Sequence, residues 1–392
     1  MLGQYAESNS WFEKAYIFGE DYRINLAREA ASYLTNPLTT IYRGEDHEHL
    51  MVLYYKAMNY AKMGQYEEAL VECRRLNIRL QQLSDRYSSP NRYREDAFIH
   101  NLMGILYQAS DDWNNAFIAY RNAFNIYNGS YTEMFGIEPP EQLKHDLLRA
   151  ARNAGLSEEY EWYSNLFGIH QPPASPYAEL VLFWHNGLAP VKAEWSINFM
   201  IYGGEGNLVF ISNPDLGLSY SFEVSADERK SLNDLEFFRV AFPKYVERPP
   251  AFNRAIAHTA DTALQLEMAE DINRIAQICL EERMAAEFSK TLVRVALKKA
   301  AEYSARKKDK TMGSVIGAIN AMTEAADTRN WQTLPHSIYY TRVPLREGRQ
   351  TIQLKLEGAG AEAMEELTFL PIKGQTLFHT YTSLDGYAQS KE

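Results

Sequence analysis

The sequence predicts an α+β protein in which helical hairpins come first and a sheet-containing part follows. Small and aromatic residues recur at the spacing of paired helices in the first half, and the proline-rich stretch "QPPASPY" (Gln171 to Tyr177) interrupts that pattern. Aromatic and β-branched runs dominate afterwards. We therefore predict a helical domain at residues 1–170 and an α+β domain at residues 177–392, the latter with a mostly antiparallel sheet and a long helix.

Length and composition set the broad class of the protein. A chain of 392 residues exceeds one ordinary core, and 46% hydrophobic with 23% charged residues is typical of a soluble globular protein. The net charge of -11 argues against nucleic acid as a partner, because phosphates would be repelled. No apolar run is long enough for a transmembrane segment. The cysteines, Cys73 and Cys279, are interpreted as small buried hydrophobic residues.

The first half contains a repeated hairpin pattern. The stretch "LYYKAMNYAKMGQYEEALVECRRL" places Ala57 in a first helix and Ala69 in a second, and "HNLMGILYQASDDWNNAFIAYRNA" puts Gly104 and Ala116 at the matching positions. The pattern resembles the tetratricopeptide repeat, in which small residues let two antiparallel helices touch. Ala69 and Ala116 are 47 residues apart, whereas one repeat of that family is about 34 residues long. We therefore expect stacked hairpins with lengthened helices or loops.

Both ends of the helical region carry partial signals. The opening "GQYAESNSWFEKA" supplies only the second-helix half of a repeat, so we expect upstream residues, including a targeting signal, to be missing from this chain. The stretches "PEQLKHDLLRAARNAG" and "SEEYEWYSNLFG" are expected to close the array as a further helix pair. Ser157 is a candidate N-cap of the second helix of this pair. Asp46 is a candidate N-cap of the helix that begins directly after Asp46.

The second half is predicted to alternate strands with helices. Strand-like segments are "AELVLFWHNG", "VKAEWSINFMIY", "NLVFIS", "FFRVAFPKY", "NRAIAHTA" and "TALQLEM", and then "HSIYYTRVPL", "RQTIQLKLE", "ELTFLPIK" and "LFHTYTS". The glycine-rich "YGGEGN" is interpreted as a turn between strands, because no helix and no suitably spaced lysine follow it. A long helix is predicted over residues 271–306 and a second over "GSVIGAINAMTEAAD", residues 313–327.

The sequence contains no recognisable catalytic constellation. "HEH" (His47 to His49) lacks a third ligand nearby and is interpreted as an exposed or interdomain loop rather than a metal site. No paired nucleophile and base can be assembled, so we predict a protein that is not an enzyme, with no catalytic residue, metal or cofactor. The alternative is a glycan-binding, peptidoglycan-binding or cryptic enzymatic α+β domain, in which Trp184, Trp195 and Trp331 stack on sugars instead of packing in a core.

Two segments carry the candidate partner-binding residues. The helix entry from Tyr42 to Tyr60 is either a capped helix with local charge pairs or part of the concave face of the helical array. The stretch "ADTRNWQTLP" (Ala326 to Pro335) is either a latch between a helix and a strand or a recognition surface. The candidate residues in these segments are Arg43, Glu45, Asp46, Tyr54, Asn59, Asp327, Arg329 and Trp331.

Three motifs together resemble an uncharacterised family of bacterial envelope proteins. They are "YRGEDHEHLMVLYYKAMNYAKMGQYEEALVECRRLN", "NGLAPVK" and "ADTRNWQTLP", in this order. Members have tetratricopeptide-like helices before an α+β part and are often encoded beside lipoproteins similar to the curli-secretion pore and to activators of penicillin-binding proteins. The resemblance implies a non-catalytic interaction or scaffold protein of the periplasm or outer membrane. Its partner would be another envelope protein or lipoprotein, and any lipid anchor would lie upstream of Met1. A cytoplasmic scaffold is the alternative.

Overall fold

The structure of the protein, a computed structural model, confirms the α+β class. It describes residues 3–21, 41–42, 44–85, 93–170, 176–232, 237–284, 288, 292, 295–297 and 326–384. Within these ranges, helices occupy the first part of the chain and three four-stranded sheets follow. Residues 313–325 of the second predicted helix and residues 298–310 of the predicted basic helix end lie outside the described residues, and residues 326–327, where the second helix was predicted to end, are not helical.

The helices of the first part pack as hairpins. They are α1 (Tyr5–Asp21), α2 (Asp46–Lys62), α3 (Tyr66–Ser84), α4 (Ala97–Ala109), α5 (Trp113–Ile126), α6 (Thr132–Phe135), α7 (Glu141–Asn153) and α8 (Ser157–Phe167), with a π-helical turn at Tyr127–Tyr131. Ala57, Ala69 and Ala116 are fully buried. A methyl group added at Gly104 would lie 2.4 Å from the Tyr120 ring. The small residues of the repeat pattern are therefore required where helices meet.

Three sequence predictions are wrong: two positions of helix N-caps and the assignment of "HEH" to a loop. Glu45, not Asp46, caps α2, because its carbonyl already accepts from the His49 N–H at 3.2 Å. Leu156, not Ser157, occupies the cap position of α8, since its carbonyl accepts from the Tyr160 N–H at 2.9 Å. "HEH" lies in the first turn of α2 rather than in a loop, and His47 is buried.

The strands form three sheets. They are β1 (Ala178–Asn186), β2 (Val191–Gly203), β3 (Leu208–Asn213), β4 (Leu218–Glu223), β5 (Phe237–Val246), β6 (Arg254–His258), β7 (Ala263–Gln265), β8 (Glu267–Asp271), β9 (Ser337–Leu345), β10 (Gln350–Gly358), β11 (Ala361–Phe369) and β12 (Thr376–Ser383). Their orders are β12-β1-β9-β8, β11-β10-β6-β7 and β4-β3-β2-β5. Only the pairing of β1 with β12 is parallel among the described strands.

Two helical segments accompany these sheets. A short helix, α9 (Ala226–Leu232), which the sequence analysis does not predict, lies between β4 and β5. The predicted long helix begins directly after β8 with helical residues 272–284. Its first turn is capped by Asp271, whose Oδ1 accepts from the Arg274 N–H at 2.8 Å.

The largest core runs from the helices into the first sheet. Leu53 of α2 and Leu102 of α4 belong to the same buried cluster as Phe183 of β1 and Tyr340 of β9. The other face of β1, including Trp184, packs toward the second sheet, which explains why "LVLFW" reads as a continuous apolar run. The buried cluster therefore crosses the predicted boundary at residues 171–177, and the side of the helical array toward the sheet is filled by the chain itself.

Candidate functional site

The three sequence motifs meet at one place, which we call the motif junction. It consists of the residues before and within the first turn of α2, the loop that enters β2, and the segment from Ala326 to Pro335. The contacts described next join all three pieces: Glu45 and Glu48 come from the first, Lys192 from the second and Trp331 from the third.

Glu45 is held by two cations at this junction. The Lys192 Nζ contacts its carboxylate, and the Arg283 guanidinium lies 3.1 Å from it. Both Glu45 and Lys192 are buried. Burial by itself raises the pKa of Glu45, but the charges of Arg283 and Lys192 outweigh it and hold the pKa below its ordinary value. Glu45 is therefore an ionised anchor between α2 and β2.

Glu48 ties the same helix start to the third motif. One carboxylate oxygen accepts from the backbone N–H of Trp331 at 2.6 Å. The other accepts from the Glu45 N–H at 3.0 Å and from the Tyr42 hydroxyl at 2.5 Å. Burial raises the pKa of Glu48, although these hydrogen bonds oppose that effect. A single buried carboxyl group thus satisfies donors from two motifs.

The third motif also bonds directly to the strand entry. Asn330 Nδ2 donates to the Pro190 carbonyl at 2.9 Å, and its Oδ1 accepts from the Lys192 N–H at 3.3 Å. The Ala189 N–H donates to the Leu334 carbonyl at 2.7 Å. Backbone groups at the entry to β2 therefore find hydrogen-bond partners in the third motif.

Asp327 and Arg329 pair with each other. Arg329 Nη2 lies 2.8 Å from Asp327 Oδ2, and the guanidinium lies 5.2 Å from the centre of the Tyr42 ring. Burial raises the pKa of Asp327, but its hydrogen bonds to Arg329 hold that pKa below the ordinary value. The pair closes one side of the junction over Tyr42.

Trp331 anchors the segment on the helices. Its ring centre lies 5.9 Å from that of Phe12 in α1 and 5.8 Å from that of Tyr55 in α2, and these last two rings stack at 5.8 Å. The indole N–H donates to Thr333 Oγ1 at 2.8 Å. Three separate parts of the chain therefore share one aromatic cluster.

The structure separates the other candidate partner-binding residues from this junction. Tyr54 is buried, and its hydroxyl lies 2.8 Å from His185 Nε2. Asn59 Nδ2 donates to Ser8 and Asn9 of α1 at 3.0 and 2.9 Å. Asp46 is half-buried in the first turn of α2, and Arg43 lies outside the described residues. The structure brings Glu45, Asp327, Arg329 and Trp331 together at the motif junction.

The three tryptophans considered for sugar stacking differ in exposure. Trp184 is fully buried, and its indole N–H donates to Ser383 Oγ at 2.9 Å. Trp331 is partly covered by the rings of α1 and α2. Trp195 on β2 is 37% exposed. Core packing accounts for Trp184, and Trp195 is the one of the three with a substantially exposed ring.

A second group of buried charges joins α7 to the first sheet. Arg342 of β9 lies 2.9 Å from Asp146 of α7 and 2.5 Å from Glu179 of β1, and it donates to the Tyr120 hydroxyl at 2.7 Å. Arg149 contacts the same two carboxylates. Burial raises the pKa of Asp146, although the charges of Arg342 and Arg149 oppose this effect. At Glu179 the same two charges outweigh burial and lower the pKa.

Three further findings concern metal ions, membranes and known proteins. Within the described part of the chain, no cluster of three or more His, Cys, Asp or Glu residues is placed to hold a metal ion. None of the described helices combines the length and apolar character needed to cross a membrane. No protein-family model matches the chain, and no curated protein or solved structure matches it either.

Several residues of the junction are not among the candidates that the sequence predicts. Lys192 and Glu48 lie inside two of the quoted motifs, so their membership in a motif was a usable signal. Arg283 lies in the long helix and is 238 residues from Glu45 along the chain. Nothing in its local pattern indicated that it would meet Glu45.

Replacing Trp331 with alanine is expected to lower the free energy of unfolding by about 1–2 kcal/mol, because two ring contacts and part of a core are lost. The loss is smaller than for a fully buried tryptophan since Trp331 is only partly buried. Thermal unfolding of parent and variant measures it. Gln332→Ala is the matched control, because that neighbouring side chain is exposed. An unchanged melting temperature combined with lost partner binding would make the segment a recognition surface instead.

Proposed function

We propose that this protein is a non-catalytic interaction protein of the bacterial cell envelope that contacts a partner protein through the outer side of its helical array. The envelope location rests on the resemblance carried by the three motifs. The architecture of stacked helical hairpins supports a binding role, because such arrays commonly present extended contact surfaces.

The inner side of the array has little room for a partner. Side chains of α2 and α4 share one buried core with Phe183 and Tyr340 of the first sheet. Tyr66 of α3 also reaches this sheet, where its hydroxyl donates to the Thr376 carbonyl at 3.3 Å. A peptide could enter this side only by displacing the chain's own sheet, so the outer side is the better candidate.

The observation that carries the proposal is a repeated exposure of large apolar residues on the second helices. Ile17 and Ile78 each stand nine residues after the matching Ser8 and Ala69, and they are 48% and 56% exposed. Val71 and Ile118 each stand two residues after Ala69 and Ala116, and they are 42% and 44% exposed. Single exposed apolar residues are common, but recurrence at equivalent positions indicates a contact surface.

A capture experiment tests this surface. The tagged full chain serves as bait in separate envelope and cytoplasmic extracts of the source organism, together with a Val71→Glu/Ile78→Glu variant. These two residues lie seven apart on α3 and therefore on one helix face. We expect the parent to capture a partner from the envelope extract and the variant to lose it, because buried carboxylates in an apolar contact are costly.

The matched control is Met364→Glu/Leu370→Glu, which places the same charges at residues that are 60% and 75% exposed in the α+β part. It should retain the partner, and both variants should keep the parent's circular dichroism spectrum. Capture of nothing above background by the parent would contradict the interaction role. Capture from the cytoplasmic extract alone would favour a cytoplasmic scaffold.

A further inference from the structure

A small cavity lies where the helical array meets the first sheet. Its walls come from α2, α3, α4, the loop before α4, β8, β9 and the helix that follows β8. The cavity volume is ≈ 20 Å³, counted as the volume that the centre of a water molecule can occupy. A buried water needs about 10–15 Å³ on this measure, so the cavity has room for one water molecule but not for an organic substrate.

Two carboxyl groups from distant parts of the chain border this cavity. Asp96 caps α4, with Oδ1 accepting from the Ile99 N–H at 2.8 Å and Oδ2 accepting from the Tyr93 hydroxyl at 3.0 Å. Glu270 comes from β8, and its Oε1 accepts from the Tyr131 hydroxyl at 2.8 Å. The same hydroxyl lies 3.5 Å from Asp96 Oδ1. Tyr131 therefore stands between the two acids.

Two buried polar atoms belong to residues that line the cavity and lack a hydrogen-bond donor or acceptor of the ordinary kind. No such group among the described residues is placed against Glu270 Oε2 or His47 Nδ1, while the Glu270 carboxyl lies within hydrogen-bonding reach of the Asp96 carboxyl. Their residues are only 2% and 3% exposed. Such buried groups normally bond to protein or to ordered water, because leaving one unsatisfied costs about 1–3 kcal/mol. Glu270 and His47 both line the cavity.

We propose that this cavity binds one ordered water molecule between Glu270 Oε2 and His47 Nδ1, and that Asp96 and Glu270 together hold one proton. The water supplies the missing partner to both atoms. His47 is the one basic side chain among the described residues that line the cavity. Because no lysine or arginine stands in that lining to balance two buried negative charges, a shared proton removes one of them.

The electrostatics of the surrounding groups agree with this assignment. Burial raises the pKa of Glu270, and the neighbouring charge of Asp96 raises it further. Burial likewise raises the pKa of Asp96. Burial lowers the pKa of His47 to about 4, so its imidazole is neutral at pH 7 and adds no compensating charge. The titratable groups that face Glu270 are Asp96, Tyr131, Tyr93, Tyr127, Tyr54 and His47, with Asp271 next to it on the chain.

A crystal structure of the full chain at high resolution tests the water site. We expect one electron-density peak in the cavity, about 2.6–3.2 Å from Glu270 Oε2. A second crystal soaked in rubidium chloride separates water from a monovalent cation, since rubidium scatters anomalously. An empty cavity, or an anomalous peak at this position, would overturn the water assignment.

The pH dependence of stability tests the shared proton through Glu270→Gln. A carboxyl whose pKa is higher in the folded chain than in the unfolded chain stabilises the fold at acid pH, and this contribution is lost as pH rises from its unfolded value toward the folded one. The parent should therefore lose stability relative to the variant above the ordinary value of 4.5. The ratio of folded to unfolded molecules should change in favour of the variant by up to about tenfold per pH unit.

The matched control is Glu357→Gln on β10, where a hydrogen bond from Lys355 lowers the pKa. A lowered pKa contributes stability that is lost only as pH falls below about 4.5, so parent and control curves should run parallel between about pH 5 and 8. Urea denaturation across this range supplies the measurement. If the Glu270→Gln curve also ran parallel to the parent curve, Glu270 would be ionised in the folded protein and the shared proton would be excluded.

Discussion

Replacing Arg342 with methionine is expected to lower the free energy of unfolding by about 3–5 kcal/mol, because it removes the cation from a buried ion network. Arg342 is 4% exposed and contacts Asp146 and Glu179, which are also shielded from water. Arg149 keeps its own contacts with the two carboxylates, whereas the hydrogen bond to the Tyr120 hydroxyl comes from Arg342. Urea denaturation, followed by circular dichroism, measures the loss as a shift of the midpoint at constant slope.

The position of this network in the fold explains the size of the effect. Asp146 lies on α7, Glu179 on β1 and Arg342 on β9, so the network joins the helical array to the first sheet. Arg342 also donates to the hydroxyl of Tyr120, which packs on Gly104 inside a helical hairpin. Truncation removes one of the two arginines that face Asp146 and Glu179 and takes the Arg342 donor from the Tyr120 hydroxyl, in a site that is shielded from water.

Arg346→Met is the matched control for this prediction. Arg346 follows β9 directly and pairs with Asp261 at 2.6 Å, but its side chain is 71% exposed. Exposed ion pairs contribute about 0–1 kcal/mol, because water screens them and the side chains lose freedom. Equal losses for the two arginine variants would show that Arg342 does not act through a buried network.

Replacing Trp184 with alanine should cost about 3–5 kcal/mol, the range for a large aromatic side chain removed from a core. Trp184 is fully buried between the first two sheets. Its ring centre lies 4.8 Å from that of Tyr339, and its indole N–H donates to Ser383 Oγ on the neighbouring parallel strand. The variant should unfold at a clearly lower urea concentration than the parent.

Trp195→Ala provides the comparison, since this tryptophan is 37% exposed on β2. We expect a smaller loss than at Trp184, because less apolar surface returns to water. The comparison also bears on sugar stacking, for which a ring must be accessible. A larger loss at Trp195 than at Trp184 would contradict the packing described for both residues.

Residue patterns within single segments of the sequence predict most of the secondary structure but few of the contacts between distant segments. The hairpin spacing around Ala69 and Ala116 and the run of aromatic and β-branched residues in "NLVFIS" depend on neighbours within one helix or strand, so they can be recognised from sequence. The starts of α2 and α8 were misplaced by one residue, since side-chain preference at a cap was considered without the backbone bonds that begin the helix.

The candidate site shows the same division. The composition of "ADTRNWQTLP" is distinctive, and it predicts that the tryptophan anchors the segment. Its contacts with Glu48 and with Lys192 could not be derived, because the contacting residues are 283 and 138 positions apart along the chain. The carboxyl cluster of Asp96 and Glu270 was missed altogether, since neither residue stands in an unusual local pattern.

The sequence by itself determined the α+β class, the order of hairpins and strands, and the small residues at which helices touch, because each depends on local periodicity and residue size. Only the tertiary structure decided what fills the inner side of the array and which charges meet. Burial pairs groups from distant segments: Glu45 with Lys192 and Arg283, and Arg342 with Asp146 and Glu179. A buried charge requires such a partner, and its identity is fixed by how the chain folds back on itself.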